Sequence, residues 1–379
     1  TLRIAGAAGT VVENFGVGNS VTISNNEVSV SPTAALLTDT VYHINYPSGS
    51  FTNTGGDVSY VGTAYTFTAS PTAYEIWSWG KNQYGQLGQN STIQVSSPVQ
   101  VPGTNWGTAE GGYAYYNVAT KTDGTLWAWG QNNLGQLGQN SNLNYSSPVQ
   151  VPGTTWNSSD RDKLAGGSNS VGAIKTDGTL WMWGANEHGL LGQNEGTGSD
   201  QVGLSSPTQV PGTWKQITTG GSSSGVKTDG TGWAWGRGTG GQLGENNRIN
   251  RSSPVQIPGT WTKIMFGTGS SSALTVGLKT NGTLWAWGYN ANGAGFELPG
   301  NTYRSSPTQI PGTSWNNVIT DDRSTIATRT DGTLWMWGRN DDGMLGQNNT
   351  TQYSSPVQIP GTNWSSIGSL KGAFGAVNT

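Results

Sequence analysis

Residue types that carry chemistry are scarce in this chain, and those that recur do so in a repeated segment. Cysteine is absent and the only histidines are His43 and His188, so the usual ligands of a zinc site are too few to form one. Aspartate recurs in four copies of a Thr-Asp-Gly segment, where a ring of carboxylates could bind a cation. These aspartates are Asp123, Asp177, Asp229 and Asp331. Asn281 occupies the same place in a fifth copy, which favours a turn residue over a metal ligand, because Asn and Asp both tolerate left-handed backbone geometry.

Other arrangements with catalytic potential are also better explained by structure. Glycine-rich segments such as residues 130–138 (GQNNLGQLG) are not followed by a helical pattern, so we interpret their glycines as residues of tight loops and not as a phosphate cradle. Two acidic pairs, Asp321-Asp322 and Asp341-Asp342, are adjacent in sequence, whereas glycosidase chemistry needs two carboxyl groups across a cleft. We therefore predict a protein that is not an enzyme and that has no cofactor and no metal site.

Tryptophan spacing reveals the elements that position these residues. Pairs of tryptophan two residues apart recur at intervals of 50, 54, 52, 52 and 50 residues, and a single tryptophan follows each Pro-Gly-Thr segment, which accounts for all 18 tryptophans. The pairs begin at Trp77, Trp127, Trp181, Trp233, Trp285 and Trp335, and the singles are Trp106, Trp156, Trp214, Trp261, Trp315 and Trp364. A fixed period of this length indicates a repeat protein whose units stack to bury their apolar faces.

Each unit has the pattern of four short antiparallel strands. In TLWAWG, the two indoles lie on one face of an extended chain. The preceding Lys-Thr-Asp-Gly-Thr segment predicts a hairpin, with the Asp-Gly pair in a type I′ turn. Ser-Ser-Pro-Val-Gln is bracketed by prolines, which favours an edge strand, and the single tryptophan marks a fourth strand. We expect the paired indoles to pack between units, and four strands per unit are typical of a propeller blade.

The chain divides into two predicted domains. Residues 1–72 alternate apolar and polar side chains and form a small β-rich module, for which we expect a role in attachment or oligomerisation, with a passive spacer as the alternative. Residues 73–379 form the propeller. Its first unit lacks the Lys-Thr-Asp-Gly strand, and residues 375–379 (GAVNT) resemble residues 225–228 (GVKT). We therefore expect the C-terminal strand to complete the first blade and close the ring.

The segments WSWGKNQYGQLG at Trp77 and WAWGQNNLGQLG at Trp127 resemble the repeat of the regulator of chromosome condensation family. The resemblance covers about four fifths of the sequence. It implies an all-β propeller with four-stranded blades, for which the repeats indicate six blades and the family pattern offers seven as the alternative. The family includes an exchange factor that binds chromatin, ubiquitin-ligase modules and bacterial inhibitors of β-lactamase. The resemblance thus implies a ring face presented to a protein partner, and fold alone does not identify that partner.

Composition narrows the classes of partner. With 18 basic and 21 acidic residues the formal net charge is −3, and there is no run of like charges, which argues against nucleic acid. No apolar run reaches the roughly 18 residues of a membrane span, so we expect no membrane insertion. The abundance of Gly, Ser, Thr and Asn and the lack of cysteine resemble phage appendages and extracellular proteins, and we expect an extracellular or virion location.

Sequence variation is concentrated at one predicted end of the ring. The Asp-Gly and Pro-Gly-Thr turns are nearly identical in all units, whereas the loops at the opposite end differ in aromatic and charged residues, the side chains that commonly anchor interfaces. The candidate contact residues are Lys81, Tyr84, Tyr113, Tyr115, Tyr116, Asp160, Arg161, Asp162, Lys163, His188, Arg237, Tyr289, Asp321, Asp322, Arg323, Arg339, Asp341 and Asp342. Neutral drift of these loops is the alternative interpretation.

These observations favour a non-enzymatic binding protein. We expect a phage tail fibre or capsid-decorating protein that recognises a protein or glycan on a host surface through the variable face, and that contacts other virion or filament subunits through residues 1–72. A secreted bacterial adhesin or filament subunit is the second hypothesis, and a propeller-type inhibitor of an enzyme is the third. Homo-oligomerisation is left open.

Overall fold

The computed structural model describes six short strands within residues 1–73 and residues 74–112, 115–196, 203–267, 274–295, 302–321, 323–370 and 373–378. The chain forms two compact units, Thr1–Tyr74 and Glu75–Thr379. The described part is composed of β-strands, together with the 3-10 turns Arg161–Lys163, Glu187–Gly189 and Ala291–Gly293.

The first unit contains a four-stranded antiparallel sheet and a separate hairpin. Its strands are β1 (Leu2–Ile4), β2 (Val11–Glu13), β3 (Val21–Ser24), β4 (Glu27–Val30), β5 (Val41–Ile44) and β6 (Tyr65–Thr68). The order in the sheet is β2-β1-β5-β6, and β3 pairs with β4 alone. The alternating pattern of residues 1–72 thus predicted strands, while the role of this module in attachment stays a prediction.

The second unit begins and ends with a pair of strands and has five four-stranded sheets between them. The N-terminal pair is β7 (Trp77–Gly80) and β8 (Val95–Gln100). Sheet 1 is β9 (Trp106–Gly112), β10 (Tyr116–Lys121), β11 (Leu126–Gly130) and β12 (Tyr145–Val151). Sheet 5 is β23 (Trp315–Thr320), β24 (Ser324–Arg329), β25 (Leu334–Gly338) and β26 (Tyr353–Ile359), and the C-terminal pair is β27 (Trp364–Leu370) and β28 (Ala373–Asn378).

Sheets 2, 3 and 4 are linked by two long strands that pass from one sheet into the next. These strands are β13 (Leu164–Gly166), β14 (Ser170–Ile174), β15 (Thr179–Gly184), β16 (Leu204–Thr219), β17 (Ser222–Lys227), β18 (Thr231–Gly236), β19 (Arg251–Phe266), β20 (Leu274–Lys279), β21 (Leu284–Asn290) and β22 (Thr302–Gln309). β16 pairs with β15 up to Thr213 and with β17 from Trp214 onward, so its first part ends sheet 2 and its second part begins sheet 3. β19 divides in the same way between sheets 3 and 4.

The Asp-Gly hairpin is present in each complete sheet, but its turn differs from the predicted type I′. In sheet 1, Gly124 has a φ of 79°, whereas Asp123 is not among the residues with positive φ. The Asp123 carboxylate instead accepts hydrogen bonds from the Thr125 backbone N at 2.9 Å and hydroxyl at 2.6 Å. Asn281 accepts the same two bonds from Thr283. Asn can therefore replace Asp at this position because both side chains supply a hydrogen-bond acceptor.

In the complete sheets, the second tryptophan of the pair packs one sheet against the preceding group of strands. Trp183 is fully buried, clusters with Leu137 and Val151 of sheet 1, and donates its indole N–H to the carbonyl of Gln136 at 3.0 Å. Trp129, Trp235 and Trp287 make the equivalent bonds to Gln86, Leu190 and Gln242. The predicted packing role of the tryptophan pairs is therefore assigned to the second indole, while the first indole, as at Trp181, is only half-buried.

The glycine-rich loops are shaped by a buried asparagine and fit against the next sheet. Asn132 accepts from the Leu137 backbone N at 2.8 Å and donates to the carbonyls of Ser141 and Leu143. A Cβ on Gly135, whose φ is 81°, would lie 2.6 Å from Cα of Ser205 in sheet 2. Glycine is needed there because two backbones approach each other closely.

A cation between two indoles recurs in all five sheets and was not anticipated from the sequence. In sheet 3 the Lys227 ammonium lies 5.1 Å from the ring centre of Trp214 and 4.0 Å from that of Trp233. The equivalent cations are Lys121, Lys175, Lys279 and Arg329. Cation–π contacts of this kind stabilise each hairpin against the strand that precedes it.

The predicted pairing of the C-terminal strand with the first unit is not present among the described residues. β7 pairs only with β8, and β28 pairs only with β27, so each pair has a free edge. The indoles of Trp77 and Trp79 are consequently 50% and 60% exposed. The repeat thus comprises five complete sheets and two half-sheets.

The buried contacts of Trp183 predict the cost of removing its side chain. Trp183→Ala leaves a cavity between sheets 1 and 2 and orphans the Gln136 carbonyl, so we expect a loss of about 3 to 5 kcal/mol in the free energy of unfolding. Denaturant unfolding of the full chain measures this loss. Trp181→Ala, which removes a half-buried indole from the same strand, is the matched control and should cost less; equal stability of the Trp183→Ala variant and the parent would contradict the packing role.

Candidate functional site

The antiparallel strands separate the turns of the second unit into two ends. The hairpin end carries the Asp-Gly turns and the Pro-Gly-Thr turns, and the loop end carries the glycine-rich loops and the turns between the first and second strand of each sheet. Most of the predicted contact residues lie at the loop end. Their side chains form two mixed clusters of tyrosine and cation, which we call seam 1 and seam 2 because each joins two neighbouring groups of strands.

Seam 1 contains Lys81, Tyr84 and Tyr115. Lys81 and Tyr84 follow β7, and Tyr115 lies in the turn before β10 of sheet 1. The two tyrosine ring centres are 5.4 Å apart, and the Lys81 ammonium lies 4.6 Å from the Tyr115 ring centre and 3.3 Å from its hydroxyl. Tyr115 is 40% exposed and has a φ of 57°, a conformation that costs energy for a residue with a side chain. The sequence analysis assigned all three residues to the same end of the ring, and their role in binding stays a prediction.

Seam 2 contains Arg248, Tyr289 and Tyr303. Arg248 lies in the loop after β18 of sheet 3, and the tyrosines are paired residues of β21 and β22 in sheet 4. The tyrosine ring centres are 4.8 Å apart, and the Arg248 guanidinium lies 4.2 Å from the Tyr303 ring centre. Tyr303 is 44% exposed. Of this group the sequence analysis named only Tyr289.

Arg248 and Tyr303 could have been found by comparing the repeats. Tyr303 lies two residues before the Ser-Ser-Pro segment of sheet 4. The same position is occupied by Asn144 in sheet 1 and by Asn250 in sheet 3. An aromatic side chain replacing a short amide at an otherwise polar position was therefore a visible signal. The proximity of Arg248 depends on how the loop of one sheet fits against the next, which a linear pattern does not show.

Lys81 and Arg248 differ from Arg339, another cation at the loop end, in their charge environment. Neither of them forms an ion pair among the described residues. Arg339 occupies the position in sheet 5 that Lys81 occupies after β7, but it contacts Asp341 at 2.7 Å and Asp342 at 3.4 Å. Its hydrogen bond, together with one from Gln352, holds the pKa of Asp341 below its usual value. The positive charges of seams 1 and 2 are thus available to a partner.

The remaining loop-end candidates make local contacts. The carboxylate of Asp321 is nearly buried and accepts from the backbone N of Arg323 and of Ser324, both at 2.7 Å, so it shapes a turn, while Arg323 is exposed. His188 is half-buried and left-handed, with its Nδ1 3.3 Å from the Asn250 amide. The Arg237 guanidinium donates to Thr239 at 3.0 Å. Tyr113 and Asp322 lie outside the described residues.

Tyr116 is a correction, because it does not belong to an exposed face. Its side chain is 1% exposed, and its hydroxyl lies 3.0 Å from the Gly167 carbonyl and 2.8 Å from the Ser170 carbonyl of sheet 2. Burial raises the pKa of the phenol. Tyr115 lies in the left-handed turn before β10 and is exposed, whereas Tyr116, the first residue of β10, fills the core between two sheets.

The cluster Asp160, Arg161, Asp162 and Lys163 is a second correction, because it does not lie at the loop end. It forms an insertion between Trp156 and β13, near the hairpin end of sheet 2. Trp156 itself forms an isolated antiparallel backbone pair with Lys175. Arg161 contacts Glu110 of β9 at 3.3 Å, Asp162 contacts Lys263 of β19 at 2.9 Å, and Lys163 bonds to the Lys215 carbonyl of β16. The first strands of sheets 1 to 4 therefore converge around this insertion.

The charged insertion is a structural connection between sheets. Burial raises the pKa of Glu110, and the neighbouring Arg161 opposes that rise. Burial lowers the pKa of Lys163, against the attraction of Asp160 and Asp162. Because Arg161 and Asp162 pair with opposite charges of other strands and Lys163 donates to a carbonyl of a third, this cluster is better suited to holding first strands together than to catalysis.

The structure agrees with the interpretation of the hairpin aspartates as turn residues. Hydrogen bonds from Thr125 lower the pKa of Asp123, and Thr179, Thr231 and Thr333 do the same for Asp177, Asp229 and Asp331. Within the described residues there is no group of three acidic or histidine side chains that could bind a metal. No helix in the described part is long and apolar enough to cross a membrane.

Solved structures with similar folds place this arrangement among propellers. Human WBSCR16 is 17% identical, with a TM-score of 0.61 over 80% of this chain and 86% of that chain. Prp20p from Saccharomyces cerevisiae, described with its binding properties to Gsp1p and histones, is 19% identical, with a TM-score of 0.61 over 77% of this chain and 76% of that chain. Yeast RCC1 (Prp20) in complex with Kap60 is 19% identical, with a TM-score of 0.61 over 78% and 75%.

No curated protein sequence matches the chain. The family model of the regulator of chromosome condensation (RCC1) repeat matches more than half of this chain. The matched residues are 75–109, 123–173, 177–226, 229–274 and 331–368. The repeat of paired tryptophans, asparagine-locked loops and Asp-Gly hairpins therefore identifies this chain as a member of the RCC1 repeat family.

Proposed function

We propose that this protein is a non-enzymatic binding protein that presents the loop end of its propeller to an acidic partner on a cell surface. The observation that carries the proposal is the pair of seams, where an exposed cation with no ion pair to any described residue lies over a half-exposed tyrosine. Tyrosine and arginine are the common anchors of interfaces, and rigid sheets on both sides hold them in place without a loss of loop entropy on binding.

An acidic partner follows from the charges of the seams. Lys81 and Arg248 attract carboxylate, phosphate or sulfate groups, and the adjacent tyrosines supply an apolar surface beside each cation. Both seams lie at the same end of the strands, so we expect an extended partner with several acidic groups to gain from contact with each. Prp20p, which has a similar fold, is described with its binding properties to Gsp1p and histones. Those partners belong to that protein, and the seams here favour the opposite charge to a histone.

For the setting we propose a phage virion appendage, a tail fibre or a capsid-decorating protein, located outside the cell. The low content of charged residues, the abundance of Gly, and the small β-rich unit before the propeller support this context. The first unit would then attach the propeller to other virion subunits. A secreted adhesin, a filament subunit, or an inhibitor that covers an enzyme with the same face are the alternative settings. The finer architecture that we propose is a six-bladed ring.

Substitution of the seam residues tests the proposal. We expect Lys81→Gln and Arg248→Gln each to weaken binding of the full chain to intact bacterial cells about fivefold, since an accessible charge contact contributes ~1 kcal/mol. Added salt should weaken the parent in the same direction because the contacts are exposed. Cell binding is measured by flow cytometry with a fluorescently labelled chain, across a panel of candidate host strains.

Arg339→Gln is the matched control for charge, because Asp341 and Asp342 already neutralise that guanidinium. Tyr74→Ala removes a tyrosine that is 60% exposed outside both seams and is the control for aromatic surface. Both controls should bind as the parent does. Binding that is equal for all four variants, or loss of binding only in the controls, would contradict the assignment of the loop end.

A further inference from the structure

Three of the glycine-rich loops expose an aliphatic side chain at one position of the repeat, three residues before Ser-Ser-Pro. The residues are Ile93 after β7, Leu143 in sheet 1 and Ile249 in sheet 3, which are 74%, 70% and 56% exposed. We call them the aliphatic tips. The corresponding Val202 of sheet 2 lies outside the described residues. Single exposed hydrophobic residues are common on protein surfaces, but their recurrence at one position of a repeat indicates a shared cause.

Hydrogen bonds hold the backbone of the aliphatic tips in place. The carbonyl of Ile93 accepts from the Asn82 amide at 2.9 Å, and its backbone N donates to the Ser91 hydroxyl at 3.0 Å. Leu143 makes the same two bonds at 2.9 and 3.1 Å, and the backbone N of Ile249 donates to a side chain two residues earlier at 3.1 Å. A backbone change that buried these side chains would break the bonds, so their exposure is a stable feature of the loops.

The loop itself does not require an aliphatic residue at this position. Thr351 occupies it in sheet 5 and is exposed. Its backbone N donates to the Asn349 side chain at 2.9 Å, and its carbonyl accepts from the Asn340 amide at 2.9 Å, as in the loops that carry tips. A small polar side chain is therefore sufficient for the fold. The tips present apolar surface that gains free energy only when a partner covers it.

Each seam cation has an aliphatic tip beside it. In seam 1, Lys81 directly precedes Asn82, the residue whose amide holds the Ile93 carbonyl. In seam 2, Arg248 directly precedes Ile249. The seams therefore combine an exposed cation, a half-exposed tyrosine and an exposed aliphatic side chain within one short stretch of loop.

The loop of sheet 5 differs from the seams in both charge and apolar surface. Arg339 precedes Asn340 there, and Asp341 and Asp342 neutralise its charge. The tip position of the same loop is Thr351. Among these loops the aliphatic side chain thus accompanies a cation that has no ion pair to a described residue, and the hydroxyl accompanies a cation that is neutralised.

Leu143 lies on the other side of seam 1 from Ile93. The backbone N of Gln131 donates to the Tyr115 carbonyl at 3.0 Å, and the amide of the next residue, Asn132, donates to the Leu143 carbonyl at 2.9 Å. Seam 1 is therefore bordered by an aliphatic tip on each of the two loops that form it.

We infer that the loop end binds a protein segment in which acidic and aliphatic residues are interspersed, with its carboxylates at Lys81 and Arg248 and its apolar side chains against the aliphatic tips. Charge complementarity supplies the acidic component, and the exposed tips supply the apolar one. The inference rests on the proposed function and names the class of its partner.

The same observations favour a protein segment over the other acidic surfaces of a cell. An acidic polysaccharide satisfies the cations, but its hydroxyl groups lose water against the tips without gaining a hydrogen-bond partner there. An anionic membrane is commonly recognised by a cluster of roughly four to eight basic residues. The seams supply Lys81 and Arg248, and the whole chain has a formal net charge of −3.

Selection from a random dodecapeptide library displayed on ribosomes, with the full chain immobilised, tests the inference. We expect the selected peptides to be enriched in Asp and Glu together with Leu, Ile or Val. A fluorescein-labelled copy of the most enriched peptide then serves as the probe in anisotropy titrations. The triple variant Ile93→Thr, Leu143→Thr, Ile249→Thr should bind it about thirtyfold more weakly, since each lost apolar contact costs about threefold in affinity.

The chain supplies the controls for this titration. Thr351 already occupies the tip position in sheet 5, so the triple variant should keep the Tm of the parent. Val377→Thr removes an aliphatic side chain that is 53% exposed in β28, outside the loop end, and should bind the peptide as the parent does. Sodium alginate, an acidic polysaccharide, and vesicles of phosphatidylcholine and phosphatidylglycerol are offered to the same full chain in place of the peptide.

Each outcome decides the inference. Enrichment of both residue classes, with weaker binding by the folded triple variant and not by Val377→Thr, supports it. Peptides enriched in acidic residues alone, or equal binding by the triple variant and the parent, would overturn it. A library without enriched peptides would overturn it as well, and binding of alginate or of the vesicles would then assign the loop end to a glycan or a membrane.

The inference and the proposed function can fail separately. If Lys81→Gln and Arg248→Gln weaken binding to cells while the triple variant binds cells as the parent does, the seams are a binding site and the tips have no part in it. If neither the seam variants nor the triple variant changes cell binding, the loop end is not the binding face and both proposals are wrong.

Discussion

The bond from a buried indole N–H to the carbonyl of the preceding glycine-rich loop is the interaction on which the second unit depends. The indoles of Trp129, Trp183, Trp235 and Trp287 fill the gaps between sheets, and the bond from each indole N–H to a loop carbonyl offsets the cost of burying that donor. The acceptor is a loop carbonyl, as for Trp183 and Gln136. The loops that contain Gln86, Gln136 and Leu190 share one shape, which a buried asparagine and glycines of positive φ impose, while Gly238 occupies the asparagine position in sheet 3.

This constraint explains why residues for recognition occur at the seams. The backbone of each loop is committed to contact with the next sheet, so only side chains that point away from that contact can change. Lys81 and Arg248 are such side chains, and each reaches a tyrosine of the neighbouring strands. Eight of the other basic residues have structural roles. Five of the 18 basic residues lie between indoles, and Arg161, Lys163 and Lys263 pair around the first strands. In this chain, an accessible cation without a structural role therefore indicates a candidate binding residue.

Much of the fold could be predicted from the sequence because the repeat presents the same local pattern six times. Strand alternation, the Asp-Gly hairpins and the edge position of Ser-Ser-Pro are all properties of short segments, and they agree with the observed order of strands. The predicted type I′ turn was wrong because the Asp123 carboxylate accepts two hydrogen bonds from Thr125, and this arrangement forms without a left-handed backbone at Asp123. The cation between indoles was missed because Lys227 and Trp214 are separated by a strand and meet only through pairing.

The candidate site was less predictable because exposure depends on contacts between units. Tyr115 and Tyr116 are identical in type and adjacent in sequence, yet one is 40% exposed and the other 1%. Asp160 to Lys163 has the composition of a surface loop and Arg161 is exposed, but the insertion also contacts Glu110, Lys263 and the Lys215 carbonyl of three other sheets. A repeat predicts where a side chain departs from its counterparts; only the packing of neighbouring units determines whether that departure faces solvent or core. Where a substituted side chain faces solvent, it changes the surface of the repeat but not its fold. One repeat can therefore be adapted to bind different partners.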